Sequence, residues 1–196
     1  MSSVIGIDLA GSEKRNTGIC VLDVKSLRII DVKIVHSDAE IIADVELHNP
    51  LVIAIDAPLS LPKGRKSIDE RNNHHFRKCD RELLKFGIKF FPITLGPMRK
   101  LTKRGMELKR KFEGMGFKVI EVYPGAAQDL LNIPRKRDLI GLRKGLERLG
   151  IKGIREDCCA DELDAITAAY VGLLYLKGKY IAIGEKDEGV IILPKV

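Results

Sequence analysis

Five carboxylates in this chain sit where a charge is costly unless something answers it. Asp8 ends the apolar run Val4-Ile-Gly-Ile, Asp56 ends Leu51-Val-Ile-Ala-Ile, and Glu121 follows Val119-Ile. Short β-branched runs bounded by turn residues read as buried strands. Each acid is therefore expected near a strand's C-terminal end, where open α/β sheets collect their ligands. Asp161 and Asp164 are three residues apart in Ala160-Asp-Glu-Leu-Asp-Ala-Ile-Thr-Ala-Ala, which puts both on one face of a helix. The residues around them are small and apolar, and no Lys or Arg stands at helical pairing distance. Carboxylates gathered without built-in cations suit a hard divalent ion, Mg²⁺ or Mn²⁺, with water and phosphate oxygens as further ligands. Two such ions can orient an attacking water and stabilise the leaving oxygen of a phosphodiester. Taken singly, each acid would be a turn or capping residue; the set is what carries chemistry.

The charge distribution suggests what such a centre would act on. The formal net charge is +7, yet residues 63–111 alone hold 16 Lys or Arg against 5 Asp or Glu, which leaves the rest of the chain at −4. A basic segment against a mildly acidic body fits a polyanionic partner, most simply DNA or RNA. The alternative is a solvated Lys-rich surface of the kind thermophile proteins carry, and charge alone does not choose between them. Arg15, Arg77 and Arg81 are the candidate phosphate contacts; otherwise they face solvent or pair with the acids. His75 and Cys79 have metal-like i,i+4 spacing beside His74, and Cys158-Cys159 could complete a set. A structural zinc needs four placed ligands, however, and packing at a helix start accounts for the cysteine pair.

Length and composition bound the remainder. With 196 residues, 45% of them apolar, the chain can build a core and is expected to be one domain over 1–196 with an insertion at 62–116. Four cysteines do not make a disulfide scaffold, and Trp is absent. The longest largely apolar stretch near the C-terminus, 166–176, falls short of the roughly 20 residues a membrane helix needs. Asp8 interrupts any secretion signal. A cytoplasmic protein without a membrane partner is expected, with its oligomeric state open.

The elements that must position the acids follow from periodicity. Strands are expected over 3–9, 17–24 and 27–36, an antiparallel meander, then a helix over 38–48 capped by Ser37 or Asp38. Further strands are expected at 51–56 and 118–122. The segment 61–116 reads as long, basic and mostly helical, broken at Gly64, Pro92, Gly96 and Pro97. Helical stretches follow near 126–131, 136–149 and 158–177, and the tail, 180–183 with 190–193, reads as a small terminal hairpin. This order fits a mixed α/β sheet with helices on both faces.

Several motifs, in order along nearly the whole chain, carry a resemblance. They are Gly6-Ile-Asp8-Leu-Ala-Gly11-Ser with Arg15 and Thr17-Gly18, and Ala54-Ile-Asp56-Ala-Pro58-Leu-Ser-Leu-Pro62. Then come Arg77-Lys-Cys-Asp80-Arg81, Glu121-Val-Tyr-Pro124-Gly-Ala, Asp161-Glu-Leu-Asp164-Ala and Glu188-Gly-Val-Ile-Ile-Leu-Pro194. Together they resemble the family catalogued as domain of unknown function 429, whose members are described as predicted nucleases with an RNase H-like fold. The resemblance implies an RNase H-like mixed sheet, three antiparallel strands followed by two parallel ones, with helices on both faces and a long helical basic insertion. It makes Asp8, Asp56 and Asp164 the core metal ligands and Asp161 a helper. The Asp161/Asp164-Ala165 pair is similar to one in Holliday-junction resolvases, and Glu121 would tune a ligand or position water. Two other classes compete. Gly6-Ile-Asp8-Leu-Ala-Gly11-Ser also resembles the first phosphate loop of actin-like and sugar-kinase phosphotransferases or ATPases, but the chain has neither their duplication nor a second such loop. A non-catalytic nucleic-acid-binding module would leave the acids unexplained, since carboxylates repel phosphate unless a cation intervenes.

Overall fold

The computed structural model describes residues 2–195. Three strands, β1 (Ser3–Asp8), β2 (Thr17–Asp23) and β3 (Ile29–Val35), form the antiparallel meander, and α1 (Asp38–His48) leads to β4 (Val52–Asp56). Ser37 starts α1 in a capping box with Glu40. After α2 (Lys78–Lys85) and α3 (Gly96–Gly114) come β5 (Val119–Val122), α4 (Pro124–Leu130), α5 (Leu139–Arg148) and α6 (Ala160–Leu176). The chain ends in β6 (Tyr180–Glu185) and β7 (Gly189–Pro194). β4 lies parallel to β1, and β5 parallel to β4, as the motifs implied. The tail is the expected hairpin, β6 antiparallel to β7, and it also joins the main sheet: β7 adds in parallel to β5, giving a seven-stranded sheet ordered β3-β2-β1-β4-β5-β7-β6.

Alternation along the central strands divides the core. Val4, Val52 and Ala54 face α6, whereas Ile5, Ile7, Ile53 and Ile55 face a layer containing Ile41 and Val45 of α1 and Leu108 and Phe112 of α3. The contact with α6 is close enough to require glycine. A Cβ on Gly6 would lie 2.2 Å from both Ala165 O and Ala169 N, and one on Gly18 would lie 2.1 Å from Asp161 O. Small residues on the helix and glycines on the sheet thus let the backbone of α6 lie directly on β1 and β2.

The segment 62–116 is less helical than its spacing suggested, its helices being α2 and α3. Pro58, Pro62 and Gly64 deny the chain before α2 a regular ladder. The buried guanidinium of Arg65 instead serves the carbonyls of His74 at 2.8 Å, Glu70 at 2.5 Å, and Ser67 and Ile68 at 3.3 Å. Among the described residues, no helix is long and apolar enough to cross a membrane.

Candidate metal centre

The site begins with a register. Asp8 and Asp56 are direct partners at the C-terminal ends of parallel β1 and β4. Neighbouring strands run about 4.8 Å apart, and both side chains share the parity of Val4 and Ala54, facing α6. That helix begins at Ala160 and carries Asp161 and Asp164 onto the same end of the sheet, at the height fixed by Gly18. Asp164 is buried, and its Oδ1 accepts from Gln128 Nε2 at 2.7 Å. Gln128 also donates to Thr167 Oγ1 at 3.2 Å, and that hydroxyl donates to Leu163 O at 2.9 Å, so the amide orientation is set from within the helix. Lys136 Nζ stands 3.3 Å from Asp164 Oδ2.

Electrostatics show the cluster to be short of positive charge. Burial pushes the Asp8 carboxyl up to about 7, helped by repulsion from Asp164 and Asp161 and opposed by Lys136. Asp56 is raised well above the ordinary carboxylate range, again by burial and then by Asp8 and Asp164. At Lys136 burial works against the charge, yet the attraction of Asp164 and Asp8 outweighs it and raises the ammonium above its usual value. Four carboxylates thus face one partly exposed ammonium. An all-oxygen, under-neutralised donor set is what Mg²⁺ or Mn²⁺ requires, so these residues fit the implied cation on their chemistry. A tighter trio, half-buried Asp31 and His48 with buried Asp44, brings its ligand atoms within 4.8 Å of one another elsewhere in the fold. Lys33 already answers it, at 3.0 Å from Asp31 and 2.7 Å from Asp44. The four site acids do not close up in this way, as expected of carboxylates that repel each other.

A cleft of about 990 Å³ opens beside Asp8 and Asp161, and Lys14, Arg15, Lys100 and Lys136 line it. Buried Arg104 of α3 fixes its wall by donating to Ala10 O and His36 O at 2.8 Å and to Asp38 at 2.7 Å. A second cavity of about 530 Å³, bordered by Asp56, shares Met98 and Leu101 with the first.

Not every expected residue joins the cluster. Glu121 pairs with Ile55, not Asp56, in the β4–β5 register, so its side chain points to the opposite face of the sheet. There Arg77 binds it bidentately, at 2.7 Å to each oxygen, and the Leu59 amide donates to it at 2.8 Å. Arg77 itself is 1% exposed, with further bonds to Asp80 at 2.8 Å and Ser60 at 3.0 Å. Its donors are consumed inside the protein, so the expected phosphate contact there is corrected to an interior ion pair. Arg81 is exposed on α2, outside the cleft lining, whereas Arg15 lies in it. All four cysteines are free, and among the described residues no histidine–cysteine metal group forms.

Sequence reasoning missed Gln128, Lys136, Lys14 and Lys100. Gln128 carried one signal, as the chain's sole glutamine, seven residues after Glu121. Lys136 was hidden by the helix expected from residue 136. The Asp138 side chain caps α5 by accepting from the Gly141 amide at 2.9 Å, which leaves Lys136 outside the helix and free to reach Asp164.

Among solved structures the fold is similar to that of T. thermophilus RuvC, determined in complex with a Holliday junction substrate. The TM-score is 0.54 at 14% identity, covering 90% of this chain and 96% of that one, which establishes the RNase H-like fold. No curated protein matches the sequence. The family model described as protein of unknown function (DUF429) matches residues 6–189, nearly the whole length, and the chain belongs to that family.

Proposed function

We propose that this protein is a nuclease, hydrolysing phosphodiesters of nucleic acid at a divalent-cation centre held by Asp8, Asp56, Asp161 and Asp164. What supports this above all is the direct pairing of Asp8 with Asp56 beneath Asp164, with one lysine to answer them. Asp8 would be the shared ligand, Asp56 and Asp164 would each complete a ligand shell, and Asp161 would position water. Bound Mg²⁺ or Mn²⁺ supplies the charge that activates water and stabilises the leaving oxygen. The protein's own residues do the rest. Gln128 holds the Asp164 carboxylate in one orientation, as outer-shell partners of ligands do. Lys136 tempers the cluster's charge, and Lys14, Arg15 and Lys100 line a path for the phosphodiester backbone. RuvC was solved on a Holliday junction substrate, and the shared fold supports nucleic acid, DNA or RNA, as the partner. We read 1–196 as one domain, with the basic insertion at 62–116 gripping the backbone.

The test is a cleavage panel of single-stranded, duplex, hybrid and junction substrates with Mg²⁺ or Mn²⁺, beside EDTA and Asp8→Asn controls. Metal-dependent cleavage lost in both controls is expected. Cleavage by Asp8→Asn at the parent's rate, or none on any substrate by the folded parent, refutes the proposal.

A further inference from the structure

The cavity bordered by Asp56 differs in kind from the basic cleft beside it. Its walls come from α2, from α3 and the chain between them, and from the end of β5, and apart from Lys89 they are mostly aromatic and aliphatic: Phe90, Phe91, Tyr123, Leu84 and Ile93. The Arg77–Glu121–Asp80 pairing forms its floor, and those groups are already bonded to one another. Phe91 is 67% exposed and Leu84 59%, an apolar surface that water does not favour.

The loop carrying Phe90 and Phe91 is held, not loose. Ile88 and Ile93 on either side are buried, and the Tyr123 hydroxyl donates to Lys89 O at 3.0 Å. Phe76 packs edge-on against Phe90, with centroids 6.0 Å apart at 84°. The exposed ring of Phe91 is therefore presented by a pre-organised support, and an exposed ring on such a support is suited to stack a flat partner.

The neighbourhood selects among flat partners. The cavity meets the lysine-lined cleft at Met98 and Leu101, and Asp56 of the carboxylate cluster stands at its edge. A ligand lying across both would need an anionic strand for the Lys100 and Lys136 side and a neutral planar group for the aromatic side. An unpaired nucleotide has both parts. We propose that this cavity receives an unpaired nucleobase of the substrate strand, stacked on Phe91, while the adjoining phosphate lies at the carboxylate centre. The inference rests on the nuclease reading and deepens it: the preferred substrate has single-stranded or extrudable bases at the cleavage site. Stacking uses the π-face every base has, so no strong base preference is expected.

The test uses the whole chain carrying Asp8→Asn, so that bound strands stay intact. Fluorescence anisotropy compares labelled oligothymidylate, an abasic strand of equal length and a blunt duplex. Phe91→Ala is expected to weaken oligothymidylate binding about 5- to 150-fold, the loss of one stacked base, while leaving the abasic strand unchanged. Because the protein has no tryptophan, Phe91→Trp supplies a single reporter at an exposed position. Its emission should be quenched by oligothymidylate, less by duplex, and not by the abasic strand. Equal losses for intact and abasic strands, or emission indifferent to oligothymidylate, overturn the proposal while metal-dependent cleavage by the parent leaves the nuclease reading intact. Emission that shifts with protein concentration alone marks the patch as a contact between copies and overturns it too. A parent that neither cleaves nor binds any nucleic acid removes both readings together.

Discussion

Replacing Asp8 by Asn should make the metal-free protein more stable, by an amount that grows from about pH 4 and levels off above about pH 7. The unfolded chain releases the Asp8 proton near 3.8, whereas the folded protein holds it to about 7, through burial and the repulsion of Asp164 and Asp161. A carboxyl raised on folding leaves stability untouched below the unfolded value. Stability is then lost as pH rises from 3.8 to about 7, because over that window the folded state binds the proton that the unfolded state has released. The cost is about 0.5 kcal/mol near pH 4 and about 4 kcal/mol near pH 8, an upper figure because Asp56 and Asp164 share the repulsion. Asparagine carries no such charge. For a chain of this size the variant's melting temperature should exceed the parent's by up to about 8–16 °C near pH 8 in EDTA, and by little near pH 4. Scanning calorimetry of both proteins at both pH values reads the difference. Divalent cation should narrow the gap, since an ion at 100 times its dissociation constant stabilises the parent by about 2.7 kcal/mol and finds an incomplete site in the variant. A gain equal at the two pH values, or no gain at either, would show that Asp8 is not held in a desolvated, like-charged cluster.

Three other perturbations probe the supports of the site. Gln128→Leu removes the hydrogen bond that orients Asp164, and should weaken Mn²⁺ binding, followed by thermal shift, about 10- to 100-fold at a modest cost in stability; unchanged affinity would make Gln128 a packing residue only. Gly6→Ala drives a methyl to 2.2 Å from the backbone of α6 and should destabilise the fold by more than about 3 kcal/mol in urea melts, whereas a near-neutral result would contradict the close contact of helix and sheet. Arg77→Met strands Glu121 and Asp80 as buried charges, and denaturant titration should register a loss of about 3–5 kcal/mol, partly recovered by adding Glu121→Gln; normal stability with weakened nucleic-acid binding would instead return Arg77 to the phosphate contacts.

The local sequence determined most of the scaffold and four of the acids. Runs such as Val4-Ile-Gly-Ile and Leu51-Val-Ile-Ala-Ile leave little choice but buried strands, and their terminal acids fall at strand ends because the chain turns there. Asp161 and Asp164 share a helical face through spacing alone. What tertiary structure decided is which of these groups meet and what answers them. Glu121 is one residue away from pairing with Asp56, and because side chains alternate along a strand that single step turns it to the far side of the sheet. Arg77 read as a candidate phosphate contact, or as a cation facing solvent or pairing with the acids, and the fold turns it inward from the start of α2 onto that turned-away carboxylate. Lys136 reaches Asp164 because an aspartate two residues later caps the helix that would otherwise have included it. β7 finds β5 across the interval that holds α4, α5 and α6, a pairing no local pattern encodes. Composition and period act over a few residues and are legible in sequence. Register, caps and long-range ion pairs depend on what the fold brings within about 3 Å, and only the folded chain settles them.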